Sequence, residues 1–263
     1  MAHTQVSRDY VLFEARRAPL RAALATAAGG VLVVLGSHAL ILRLPAAVLR
    51  FMEQAFRVDG LAAVLLVNDL LAVYFVTFFV GLGSVVDATV AAREEGRLEL
   101  VLAKPISGRA LIGARLAPVL VTAAATGAIV AIAVALAVSR HVGVGDSITA
   151  SGALGSSLAL VALGVVLLST LLPLLALSRD RLQALLLAAM VWLGPVLPTG
   201  FFIYRPDMFE TESGHVAILL LPALLWHDAT AAWLGPVALV ACIPFGASMV
   251  ALAGWLLERA DAR

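Results

Sequence analysis

The sequence predicts an all-α polytopic membrane protein with six transmembrane helices, forming a single transmembrane domain over residues 1–263. Two observations predict this class. Hydrophobic residues make up 62% of the chain and charged residues 13%, with a mean hydropathy of +1.03. A soluble domain carries about twice that share of charge. Apolar runs of about 20 residues also recur along the chain, each long enough for a ~30 Å hydrocarbon core. The runs are continuous, whereas a membrane barrel needs short segments that alternate.

The first 21 residues do not read as a cleavable signal, because the start is polar and charged and no small-residue cleavage site follows an apolar run. Tyr10, Phe13 and Leu20 form a broken apolar stripe opposite Arg8, Asp9, Arg16, Arg17 and Arg21, which predicts an interfacial helix over 1–21. The first span follows at 22–42, with Gly29, Gly30 and Gly36 allowing close helix approach and His38 read as a polar residue near the helix end. Residues 43–60 mix Arg43, Arg50, Glu53, Arg57 and Asp59 with Leu44, Val48, Phe51 and Phe56, which predicts an amphipathic helix on the outer surface. Glu53 and Arg57 stand four apart for an ion pair.

The second span lies in 61–86. Asn68 and Asp69 either sit at its outer boundary or enter the membrane, where a charge is costly and points to a pathway or gate. The third span is expected at 117–138, and Arg140, His141, Gly143 and Asp146 mark a polar turn after it. The fourth covers 154–177, with Pro173 as a kink site, and Ser178-Arg179-Asp180-Arg181 is a tight charged turn. The fifth span, 182–204, contains Gly194-Pro195-Val196-Leu197-Pro198-Thr199-Gly200. Pro195 and Pro198 remove backbone donors, which predicts either a structural kink or a gate. Between 205 and 230 the run Ala217–Trp226 is apolar but too short to cross, so it predicts a short outer helix. The sixth span is 231–257.

With the N-terminus inside, every Lys and Arg except Arg43, Arg50, Arg57, Arg140 and Arg205 falls on the cytoplasmic side. The positive-inside rule therefore predicts cytoplasmic termini and a multi-pass protein of the inner (plasma) membrane. Cys242 has no partner for an internal disulfide and lies in an apolar run, as a small packing residue does. His3, His38, His141, His215 and His227 are scattered without metal-ligand spacing, and no metal site is expected. His227-Asp228 looks like half of a catalytic pair but has no nucleophile beside it. The net charge of +1 gives no indication of a nucleic-acid partner. Lys104 is the single lysine and precedes Pro105, so no phosphate-binding Gly-x-x-x-x-Gly-Lys-Ser/Thr loop exists in the chain.

The densest charge lies in Arg93-Glu94-Glu95-Gly96-Arg97-Leu98-Glu99-Leu100-Val101-Leu102-Ala103-Lys104-Pro105-Ile106-Ser107. Leu98, Val101 and Leu102 share a helical face, Pro105 ends the helix, and Ser107 can cap the next one. Glu95 and Glu99 stand four apart, a pair more stable against a basic partner than alone. This stretch resembles the signature of type-2 ABC export permeases, in which a Glu-x-Gly-Thr-Leu-Glu-like run, a hydrophobic stretch and Pro-hydrophobic-Ser follow the second span. Arg97 stands where Thr is common. The resemblance covers about fifteen residues, and the span layout is similar over the whole chain.

The resemblance implies a coupling helix in the cytoplasm, with Glu94, Glu95, Gly96, Arg97, Leu98 and Glu99 seated on a nucleotide-binding ATPase subunit. It implies a second permease subunit, identical or closely related, with the pathway at their interface. ATP and Mg would be bound by the partner ATPase, with no cofactor in this chain. The layout also resembles the permease of the nitrous-oxide-reductase maturation transporter, which implies that a periplasmic or extracellular protein could dock on the outer helices. The few polar groups in the spans suit export of a hydrophobic or amphipathic cargo. Two other classes compete. An ion-coupled secondary carrier would use Asp69 as its coupling carboxylate, and an intramembrane enzyme would need a nucleophile with its base.

Overall fold

A computed structural model describes residues 20–56, 58–96, 108–143, 146, 148–178, 180–204 and 228–261. The described residues contain helices and turns and no strand. In a lipid solvent this follows from the backbone, since each N–H and C=O must find its partner within the segment. The helices are α1 (Leu20–Ile41), α2 (Ala46–Phe56), α3 (Leu61–Val86), α4 (Gly108–Ser139), α5 (Ala150–Leu177), α6 (Arg181–Tyr204) and α7 (Asp228–Asp261). Among the described residues, five segments are long and apolar enough to cross a membrane: Arg21–Ile41, Leu61–Glu94, Arg109–Ser139, Ala150–Leu177 and Ala231–Arg259. Within α6 the stretch Arg181–Gly194 is a shorter apolar helix.

Helix α3 outruns its expected end. A π-helical turn, Asp87–Ala91, and a last turn, Ala92–Glu94, extend it to Glu94. At 34 residues it is roughly 50 Å long, well beyond a ~30 Å hydrocarbon core. The π-turn shifts the hydrogen-bond register, and Arg115 Nη1 donates to the Ala88 carbonyl within it at 3.3 Å. Helix α4 begins nine residues ahead of the expected third span and runs through Pro118. Helix α5 starts at Ala150, where Thr149 Oγ1 accepts the Gly152 N–H at 3.1 Å and caps the first turn, and it continues through Pro173. The short helix α2 buries no residue fully, and Leu49, Met52 and Phe56 rest on the edge of the core.

Close contacts fix the direction of each helix. A Cβ on Gly155 of α5 would meet the Ala231 carbonyl oxygen of α7 at 2.0 Å, and one on Gly235 would meet the Gly155 oxygen at 1.9 Å. Further along, Cys242 Sγ donates to Ala162 O, and Gly246 faces Ser169. Helices α5 and α7 therefore run side by side in the same direction. Helix α4 runs opposite to α7, with Gly254 against the Arg109 backbone and Arg109 Nε bonded to Glu258 Oε2 at 3.0 Å. Thr77 of α3 sits between Gly127 of α4 and Gly164 of α5, so three helices meet with little side-chain bulk. Helix α6 is held to α3 by Tyr74, which stacks on Trp192 at 6.0 Å and donates to its carbonyl at 3.2 Å.

The bundle has two ends. One gathers the C-termini of α1 and α4 with the N-termini of α3, α5 and α7. The other gathers the start of α4, the α5–α6 turn, the end of α7 and Arg93.

Candidate functional site

At the second end the described part of the charged stretch closes on the α5–α6 turn. Arg93 sits in the last turn of α3 and reaches the end of α5. Its Nη1 and Nη2 donate to the carbonyls of Ser178 and Ala176 at 2.6 and 2.7 Å. These carbonyls, of the last turn and the C-cap of α5, lack helical partners, and a guanidinium there also complements the helix dipole. Glu94 accepts from Arg181 Nε at 2.8 Å and from the Arg181 backbone N–H at 2.9 Å, and Glu95 accepts from Arg181 Nη2 at 3.2 Å. The Arg181 side chain keeps 54% of its surface exposed, so this is a wet clasp held by modest energy. Gly96 follows in the left-handed region at φ +67°, and a Cβ there would meet no atom within 4 Å. The backbone turn itself therefore calls for glycine at this position. Arg97, Leu98 and Glu99, with the amphipathic helix expected over them, lie outside the described residues, as do the N-terminal interfacial helix, Arg57 and the outer helices expected within 205–227.

The other end holds a buried polar cluster. Asp69 is on the ninth residue of α3, about 12 Å from its start by the helical rise, and is 1% exposed. Its Oδ2 is bonded to His38 Nε2 of α1 at 2.5 Å, and its Oδ1 lies 3.1 Å from Ser37 Oγ and 3.3 Å from Asn68 Nδ2. His38 is also buried, and its ring meets that of His141 edge-on at 6.0 Å. His38 stands in the last turn of α1, as expected, but it is buried. Three residues before the end of α1, the ring faces the bundle and ties α1 to α3. Of the pair read as a boundary or a pathway, Asn68 is exposed and Asp69 is enclosed by protein.

Ser37, His38 and Asp69 do not form a hydrolytic triad. The serine hydroxyl lies on the carboxylate, not on the imidazole, so no base-to-nucleophile bond exists here. Among the described residues, no three His, Cys, Asp or Glu side chains converge as metal ligands. Pro195 and Pro198 lie within α6, whose backbone is helical through both, and their side chains are outside the described residues.

The Glu94–Glu95 clasp and the Asp69 cluster stand about 38 Å apart along α3 by the helical rise. They are separate sites. Three partnerships are not visible in the sequence: His38 with Asp69, Ser37 with Asp69, and Arg181 with the two glutamates. The only local trace of the first was a histidine inside an apolar run, and of the last a basic residue at a tight turn.

Clefts between the described helices include two of note. One, about 560 Å³, lies between α1 and α3 and is lined by Gly29, Val33, Ser37, Asn68, Asp69 and Phe75 among others. The second, about 360 Å³, lies between α4, α5 and α7 and is apolar, with Leu120, Ala124, Val165, Cys242, Ile243 and Gly246 in its wall.

No protein-family model, curated protein or solved structure matches the chain.

Proposed function

We propose that this chain is the transmembrane permease subunit of a type-2 ABC exporter, working with a separate nucleotide-binding ATPase and a second permease copy. The observation that carries the proposal is the run Glu94-Glu95-Gly96-Arg97-Leu98-Glu99 through Pro105-Ile106-Ser107, entered from the end of a membrane-length helix. The clasp adds support. Arg93 and the two glutamates connect the start of that run to the α5–α6 turn, so a push on the run would reach α3, α5 and α6 together.

Chain direction supports six crossings. Helices α5 and α7 start side by side, so the chain must return across the bundle after α5, and the 24-residue α6 is the helix available for that return. On this reading both termini face the cytoplasm, ATP and Mg belong to the ATPase subunit, and the cargo is hydrophobic or amphipathic.

The test is purification of the tagged chain from its host in mild detergent, with mass spectrometry of what comes with it. A stoichiometric soluble subunit bearing a phosphate-binding loop is expected. A chain that purifies alone, under conditions that preserve other ABC complexes, overturns the proposal. In the reconstituted complex, Glu95→Lys should lose most of the cargo-stimulated ATPase activity while the chain still folds, because it reverses a charge at the contact. Undiminished stimulation would count against the assignment.

One observation favours a second reading, an ion-coupled carrier. Asp69 and His38 form a buried ionisable pair, and such pairs inside membrane bundles commonly carry protons or ions. Transport that needs no ATP and disappears in Asp69→Asn would establish it.

A further inference from the structure

We propose that α2 is a phospholipid-binding helix, which seats its Val48–Phe51–Ala55 edge among acyl chains and holds the phosphate of an anionic lipid with Arg43 and Arg50. The inference rests on the membrane helices and not on the permease reading.

The sequence of α2 sets up a contact on two sides. Successive helical residues turn by about 100°, so Leu49, Met52 and Phe56 share one stripe and Val48, Phe51 and Ala55 share the stripe beside it. Arg50, Glu53 and Gln54 occupy the opposite sector. The bundle covers only the first stripe, where Leu49, Met52 and Phe56 rest on the core. In the second, Phe51 is 69% exposed, and Val48 and Ala55 are exposed with it, as is Leu42 in the preceding turn. The apolar face is therefore wider than the protein it packs against. Scattered exposed apolar residues are ordinary, but these stand at the i, i+3, i+7 spacing of one helical edge.

The level of α2 indicates what covers that edge. The span Arg21–Ile41 is about 32 Å long by the helical rise, close to a ~30 Å hydrocarbon core. Helix α2 follows after the turn at 42–45, so it begins where hydrocarbon gives way to headgroups. A helix there with an uncovered apolar edge and basic residues beside it suits the leaflet surface. Leu42, Val48 and Phe51 are too few large side chains for a stable protein interface, which buries about 1,200–2,000 Å².

The charges select the lipid. Arg43 and Arg50 are both exposed, and among the described residues no carboxylate pairs with either. Arg50 Nε reaches the Ala46 carbonyl of its own helix at 3.4 Å, a weak bond. A guanidinium fork matches phosphate oxygens, and its long stem can lie along the apolar edge while the head rises to the headgroup. Two such cations favour a lipid with net negative charge over a zwitterionic one.

The test reconstitutes the full chain, in a Cys242→Ser background, in mixed bilayers of dioleoylphosphatidylcholine and dioleoylphosphatidylglycerol. A nitroxide is placed at Phe51→Cys or at Gln54→Cys. Electron paramagnetic resonance then reads collisions with oxygen, which concentrates in hydrocarbon, and with a water-soluble nickel chelate. The Phe51→Cys label should meet oxygen and exclude nickel, while the Gln54→Cys label should meet nickel. Nickel at both positions puts the edge in water and overturns the proposal. Exclusion of both reagents at Phe51→Cys shows that a second copy or another protein covers the edge, and also overturns it.

The phosphate contact is read separately, by native mass spectrometry of the chain released from the same bilayers. Arg43→Gln combined with Arg50→Gln should retain at least one phosphatidylglycerol fewer per chain, with phosphatidylcholine retention unchanged. The thermal midpoint should not move, because both side chains are exposed. Wild-type retention of phosphatidylglycerol in that variant overturns the role given to the two arginines.

Discussion

At the scale of single residues, the strongest commitment is the His38–Asp69 pair. Both side chains are almost wholly enclosed, so each depends on the other to remain in the bundle. Removing one partner of a buried pair commonly costs about 3–5 kcal/mol, while replacing both with apolar groups is far milder. His38→Ala should therefore lower the thermal midpoint sharply, and His38→Leu combined with Asp69→Leu should recover much of the loss. A double variant as unstable as the single one would show that the pair is not a coupled unit. Gly96 makes a smaller commitment of a different kind. Its φ of +67° disfavours any side chain although the space around it is open.

At the scale of elements, the ends and crossings of helices decide the architecture. Arg93 completes two carbonyls at the end of α5, one in its last turn and one on its C-cap residue. Arg93→Gln should leave the spans intact but loosen this end, seen as faster amide exchange in 174–178 and in the first turn of α6. Exchange unchanged from wild type would show that water satisfies those carbonyls equally well.

The α5–α7 crossing is less forgiving. A Cβ at Gly235 lands 1.9 Å from a backbone oxygen, which cannot move aside as a flexible side chain can. Gly235→Leu should abolish folded protein on size-exclusion chromatography, while Gly29→Leu, on an open face, should not. Without a hydrophobic drive between helices in lipid, such small-residue contacts carry the packing.

At the scale of the whole molecule, the parallel run of α5 and α7 requires the chain between them to return across the bundle, and the proposed six-crossing arrangement gives that return to α6. The two turns flanking α5 should then lie on opposite faces of the membrane. In a Cys242→Ser background, Gly143→Cys and Gln183→Cys should be labelled by a membrane-impermeant maleimide from opposite sides, with Gln183→Cys reached from the cytoplasm. Labelling of both from one side would overturn the six-crossing arrangement. The expected orientation rests on the distribution of Lys and Arg, since the α5–α6 turn carries Arg179 and Arg181.

What the sequence determined by itself was the class, the rough limits of the helices and the place of the charged stretch. These are local matters: an apolar run of membrane length must satisfy its own backbone, and that leaves it helical wherever its neighbours lie. The boundaries that shifted were set by features outside the apolar count. The Thr149 cap starts α5 early, and the π-turn with Arg115 carries α3 on to Glu94.

Tertiary structure alone decided which residues meet. His38 reaches Asp69, Arg181 takes both Glu94 and Glu95, and Gly155 lies against Gly235. Each of these contacts joins residues tens of positions apart, and no periodicity records them. They depend on which faces of two helices can approach closely, and that depends on the packing of the whole bundle.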